Sequence, residues 1–204
     1  MFIFAEHYVY KLLTHYLLSM NNLSKLLSPF NLRILELLID ESESVRDLAK
    51  KAKCSPAKVT QFATLFAKNR LVVVQNEKNR KIISLNKTNP LTREFIRLVY
   101  INKILDSKTF LSLKKASSSI GLYGSAADGT LDKKSDIDLW VISDKRKKIV
   151  ETGKLKQQFT NELGREVSLK FFTPEDIHRL KEKDKIFYNE LEYKSKILHG
   201  EGFL

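Results

Sequence analysis

Residues 120–143, IGLYGSAADGTLDKKSDIDLWVIS, form the most specific string in the chain. An apolar run ending in Leu122 and Tyr123 is followed at once by Gly124 and Ser125, which predicts a strand turning directly into a helix N-terminus. A glycine there lets backbone N–H groups approach a phosphate, the serine hydroxyl adds a donor, and the helix dipole favours negative charge. Ten residues later Asp136 and Asp138 alternate with Ile137 and Leu139. Alternate side chains on a strand share a face, so both carboxylates are expected to project together, about 6–7 Å apart. That pair suits Mg2+, which takes carboxylate oxygen together with substrate phosphates. The plain alternative is a strand end with two solvated aspartates; the phosphate-type turn shortly before them favours an active site.

The GS pair, the ten-residue gap and DID within apolar flanks resemble the nucleotidyltransferase superfamily that includes DNA polymerase beta, especially its minimal prokaryotic members. The resemblance continues through LGREVSLKFFTPEDI (163–177), similar to the following strand and TPE turn of those proteins. It ends in KIFYNELEYKSKILHGEGFL (185–204), similar to their closing helix. It implies a small α/β (α+β) domain over residues 120–204, with a mixed sheet flanked by helices. It further implies transfer of a nucleoside monophosphate from a nucleoside triphosphate to a protein or nucleic-acid hydroxyl. In that reading Asp136 and Asp138 hold Mg2+, and Gly124 and Ser125 cradle the triphosphate.

Two departures bear on catalysis. Where the family has a third carboxylate, in a string like VDL, this chain has Val167, Ser168 and Leu169; Glu166, two positions before Ser168, is the expected substitute. Where the family often has arginines after GS, this chain has Ala126, Ala127 and Asp128, leaving Lys133 and Lys134 to supply charge as flexible point cations. Two functions therefore stay open. One is an enzyme; the other is a DNA-binding transcriptional regulator whose second domain binds nucleotide without efficient catalysis.

Upstream, PLTREFIRLVYINKILD (90–106) predicts a helix with proline in its first turn, connecting two blocks across residues 90–119. Before it, FNLRILELLI (30–39) and VRDLAKKA (45–52) read as helices separated by the polar break ESES. Ser55 is placed to cap a third helix opening at Pro56, with Val59, Phe62, Leu65 and Phe66 on one stripe. LVVVQ and KIISL flank NEKNR, a hairpin pattern. Helix, helix, capped helix and hairpin resemble a winged helix-turn-helix domain, here spanning residues 1–89 with an extra N-terminal helix. In that family the third helix enters the major groove and the wing follows the backbone. Between Val45 and Lys81 stand ten Lys or Arg against Asp47 and Glu77. The expected DNA contacts are Arg46, Ser55, Lys58, Thr60, Gln61, Thr64, Lys68, Lys78, Arg80 and Lys81.

The whole chain has 204 residues and a formal charge of +12, from 36 basic and 24 acidic side chains. That excess favours polyanionic partners, nucleic acid and nucleotides first. One cysteine, Cys54, excludes an intramolecular disulfide, and four scattered histidines do not read as a metal cluster, so a reducing cytoplasm is expected. The apolar start, MFIFAEHYVYKLLTHYLL, is interrupted by Glu6, His7, Lys11 and His15, which argues against a signal peptide or membrane span. Its helical periodicity predicts an amphipathic helix that packs on its own chain or forms the seam of a homodimer. Lys145–Lys148, KRKK, is either a phosphate contact or a solvated run.

Overall fold

The computed structural model describes residues 24–143 and 149–203, so the expected first helix and the KRKK run lie outside the described residues. The chain divides into two units. One joins residues up to Leu38 with Ser42–Leu85; the other joins Ile39–Glu41 with Asn86–Leu204.

The first unit contains α1 (Pro29–Ile39), β1 (Glu43–Ser44), α2 (Val45–Lys51), α3 (Pro56–Lys68), β2 (Val72–Glu77) and β3 (Arg80–Leu85). Short polar side chains start its helices. Ser44 accepts from Asp47 N at the head of α2, and Ser55 accepts from Lys58 N at the head of α3, where Pro56 has no N–H to leave unpaired. Ile34, Leu35, Leu48, Val59, Phe62, Phe66, Leu71 and Ile83 form its buried core, with the Phe62 and Phe66 rings stacked 4.1 Å apart. Leu65, expected on the same stripe, is only partly buried.

Two local expectations are corrected. The ESES break is not wholly irregular: Glu43 and Ser44 pair with Ile83 and Ile82, giving a three-stranded antiparallel sheet of order β1-β3-β2. Glu43 and Ser44 are themselves buried in that pairing, despite their polar composition. The hairpin turn is also tighter than five residues. Glu77 pairs with Arg80, so only Lys78 and Asn79 turn, with Lys78 at φ 53°; two-residue loops match strand twist best.

The second unit runs α4 (Pro90–Asp106), α5 (Lys108–Lys114), β4 (Ser119–Tyr123), α6 (Gly124–Asp128), β5 (Ile137–Ile142), α7 (Ile149–Leu163), β6 (Val167–Phe172), α8 (Pro174–Lys183), α9 (Lys185–Lys194) and β7 (Lys196–His199). The sheet order is β6-β5-β4-β7, with β5 and β6 parallel and the remaining pairs antiparallel. Helix α4, read from sequence as a connector, is an integral part of this unit: Asn89 caps it and Arg97 Nε donates to the Ala127 carbonyl of α6.

Strand alternation sorts the side chains. Ile120, Leu122, Ile137, Leu139, Val141 and Val167 are fully buried, while Tyr123, Trp140 and Ile142, on the other face, join Tyr188, Leu191 and Phe203 in a second cluster. Trp140 is fully buried. Its indole lies across Gly121, where an added Cβ would be 2.2 Å from Cζ2, and its Nε1 donates to Ser195 Oγ at 2.8 Å.

The closing segment is more than the single helix the resemblance implied. Helix α9 ends at Lys194, Ser195 is extended, and KILH returns as an edge strand beside β4. Among the described residues no helix is long and apolar enough to cross a membrane.

Candidate active site

Strand β4 ends at Tyr123 and the chain bends immediately into the short helix α6, with Gly124 at φ 67°. The bend is pressed against β5. A Cβ on residue 124 would stand 2.6 Å from Asp138 Oδ2, so both the left-handed backbone and the close approach require glycine. Ser125 follows in the first turn, and its carbonyl accepts from Thr130 N at 3.0 Å, closing the loop behind the bend.

Asp138 is half-buried one residue inside β5, paired with Tyr123 on one side and with Ser168 on the other. Asp136 precedes the strand and is exposed. Burial holds the Asp138 carboxyl above the usual carboxylate range; the Ser168 hydroxyl opposes this, the Asp136 charge adds to it, Lys170 opposes it and Glu190 adds to it. Gly124, Asp136 and Asp138 therefore share one neighbourhood. Lys170 and Glu190 join it, and neither was selected from sequence.

The remaining expected residues are distributed differently. Lys133 Nζ lies 3.3 Å from Glu41 Oε2, and Lys134 N donates to Asp132 Oδ1 at 3.0 Å in the turn before β5. Those contacts hold the turn; neither involves Gly124 or Ser125. Glu166 accepts from Ile137 N through its carbonyl at 2.9 Å, but its largely exposed carboxylate faces Lys156 Nζ at 3.7 Å. Ser168, in register with Asp138, occupies the position where a third carboxylate on β6 would stand.

The turn carrying Asp136 is fixed from beneath. Arg165, with its side chain 8% exposed, donates to Ser135 O at 2.8 Å, to Tyr100 Oη at 3.0 Å, to the Asp132 carbonyl and to the Asp40 carboxylate. Lys87 Nζ donates to Leu131 O at 2.8 Å and to Ile39 O at 3.1 Å, and burial pulls its pKa below the ordinary lysine value. Arg165 was missed because its signal is tertiary: an arginine between a helix and a strand has no motif.

Among the described residues no three His, Cys, Asp or Glu side chains gather as a closed metal cage. Two hard carboxylates beside an open bend instead fit Mg2+, which is commonly held by one or two carboxylates and completed by substrate phosphates.

In the first unit, Arg46 of α2, Ser55, Lys58, Thr60, Gln61, Thr64 and Lys68 of α3 or its cap, and Lys78, Arg80 and Lys81 of the hairpin are all exposed. Several are already engaged. Ser55 Oγ caps α3, Thr60 Oγ1 donates to Pro56 O at 3.0 Å, Thr64 Oγ1 donates to Thr60 O at 2.9 Å, and Lys58 Nζ lies 4.7 Å above the Phe30 ring.

The family model described as a nucleotidyltransferase domain matches residues 101–194. No curated protein matches the chain. Among solved structures, it is similar to the tri-AMPylated HEPN toxin in complex with MNT antitoxin from Shewanella oneidensis, at 20% identity over 52% of this chain and 73% of that chain, with a TM-score of 0.36. It is similar to a toxin–antitoxin with AMP-PNP at 24% identity over 50% of this chain and 73% of that one, TM-score 0.39. It is also similar to HlyU from Vibrio cholerae at 21% identity over 41% and 86%, TM-score 0.35.

Proposed function

We propose that the second unit, which the nucleotidyltransferase family model matches at residues 101–194, transfers a nucleoside monophosphate from a nucleoside triphosphate to a hydroxyl on a protein or nucleic acid. The observation that carries this reading is the seating of the Gly124 bend against Asp138, with Asp136 beside it. An anion-receptive bend and two carboxylates at one place are the parts that phosphoryl chemistry requires. Asp136 and Asp138 would hold Mg2+, which supplies charge neutralisation on the phosphates. Gly124 and Ser125 would receive the triphosphate through backbone N–H groups and the hydroxyl. Arg165 and Lys87 keep the Asp136 turn rigid, so little ordering is left for the moment of binding.

The first unit is proposed as a winged helix-turn-helix module that binds duplex DNA. Its support is the exposed basic set on α2, α3 and the hairpin. Gln61 and the lysines are the contacts best supported, since the Ser55, Thr60 and Thr64 hydroxyls already bond their own helix.

A specific feature favours a second reading. Ser168 sits beside Asp138 in place of a carboxylate, which suits a regulator that senses nucleotide and turns it over poorly. The two are separated by incubating the full chain with each α-labelled nucleoside triphosphate, Mg2+, an RNA oligonucleotide and a hydroxyl-bearing peptide pool. Label transfer that vanishes in Asp136→Ala with Asp138→Ala supports the transferase. Metal-dependent nucleotide binding without transfer supports the regulator.

A further inference from the structure

The second unit holds a cavity of about 640 Å3 that the carboxylate site does not use. It lies between the start of β4, the end of β5, helices α8 and α9, and the chain that follows β7. Ser119 opens β4 and Ile142 closes β5, whereas Gly124 and Asp138 stand at the other ends of those two strands. Four residue steps along β4 hold the two ends about 13 Å apart.

The frame of the cavity is preformed. Gly200 has φ 75°, and a Cβ there would be 2.1 Å from the Ser118 carbonyl oxygen, so the chain after β7 lies hard against the start of β4. Gly202 N donates to Ser119 Oγ at 3.1 Å, and that hydroxyl donates to His199 O at 2.9 Å. Phe203 comes next and is buried. Its ring meets Trp140, Phe172 and Tyr188 edge-on, with centroids 4.9, 5.4 and 5.9 Å away. Ile142 and Ile177 add aliphatic wall. Edge-on aromatic packing of this kind accepts a further ring.

Two polar groups in this apolar setting are left open. Tyr188 lines the cavity and is 4% exposed, yet its hydroxyl makes no hydrogen bond among the described residues. Lys181 Nζ stands 5.2 Å from the centre of the Tyr188 ring and forms no ion pair among the described residues. Buried hydroxyls are nearly always paired, and bonds from an ammonium to a carboxylate are among the strong ones. An apolar cavity with a few polar groups converging on it is the usual form of a small-molecule site. Glu201 also lines the cavity, so Lys181 and Glu201 together bring no net charge, which disfavours a phosphate dianion.

We propose that this cavity is a second ligand site, separate from the nucleotide site, and that it takes a small aromatic monocarboxylate. The ring of the ligand packs on Phe203, Ile142 and Ile177. Its carboxylate accepts from Lys181 Nζ and from the Tyr188 hydroxyl.

Calorimetric titration of the full chain with 1-naphthoate tests this, beside 1-naphthamide, 1-naphthylmethylamine and 1-naphthyl phosphate. 1-Naphthoate is expected to bind one to one, about tenfold or more tighter than each of the other three. Lys181→Gln should weaken it about tenfold and leave 1-naphthamide within about twofold, while Lys181→Arg keeps most of the affinity. Tyr188→Phe, which retains the ring, should weaken it about threefold to tenfold. Asp136→Ala with Asp138→Ala should leave it within about twofold, because those side chains belong to the other end of the strands. Absence of saturable 1-naphthoate binding overturns the proposal, as does equal or tighter binding of the amide, the amine or the phosphate. Affinity unchanged in both Lys181→Gln and Tyr188→Phe overturns it too, and so does affinity lost with the two aspartates.

Discussion

Gly124 lies so close to Asp138 that a Cβ at residue 124 would stand 2.6 Å from Asp138 Oδ2. Gly124→Ala must therefore push the carboxylate aside and also hold an L-residue at φ 67°. The expected result is loss of most transfer activity, with a stability cost of about 1–2 kcal/mol. Paired transfer assays and urea unfolding check it; an active Gly124→Ala would mean that the bend does not set the position of Asp138.

The Tyr123 hydroxyl is buried and has no hydrogen-bond partner among the described residues. Removing a buried hydroxyl that lacks a partner should raise stability, by about 1–3 kcal/mol. Thermal unfolding of Tyr123→Phe is the measurement, and a destabilised variant would show that the hydroxyl has a structural partner after all.

Arg165 predicts an asymmetry. Its buried guanidinium satisfies two loop carbonyls as well as Tyr100, so Arg165→Met should cost about 1–3 kcal/mol and loosen the Asp136 turn. Asp40 is half-exposed, and Asp40→Asn should cost under about 1 kcal/mol. Equal losses in urea titrations of the two variants would place the effect in the ion pair and not in the carbonyls.

Trp140→Ala removes the largest fully buried side chain and should cost about 3–5 kcal/mol. Gly121→Ala should also destabilise, by about 1–3 kcal/mol, because its Cβ would be placed 2.2 Å from the indole. Denaturant midpoints decide both.

For the first unit, a gel-shift titration over salt is the direct measurement. Replacing Lys78, Arg80 and Lys81 together with serine should flatten the slope of log affinity against log salt by about 2–3. An unchanged slope would remove the hairpin from the phosphate contacts.

How much the sequence disclosed varies with the range of the interaction involved. The bend at Gly124 and helix α4 from Pro90 to Asp106 are local patterns of cap and turn, and the structure has them where those patterns put them; of the aspartates expected together on one strand, Asp138 lies on β5 and Asp136 falls just before it. Strand β1 was hidden because ESES looks like a loop until Ile82 and Ile83 come alongside. The packing of Phe187 was hidden for a related reason: one helical sequence does not say which of its faces meets Tyr123. The same holds for Glu166, whose strand parity placed it on the site's face while the nearby Lys156 draws its carboxylate.

The edge position of β7 has a bearing on biogenesis. Strand β4, which delivers Gly124, gains its second neighbour only from residues 196–199. A nascent chain exposes residues 120–138 to the ribosome surface well before residue 199 emerges, and until then that stretch lacks the strand that completes its sheet. Until that strand docks, β4 keeps one edge of unpaired N–H and C=O groups, the arrangement that most readily captures a foreign strand.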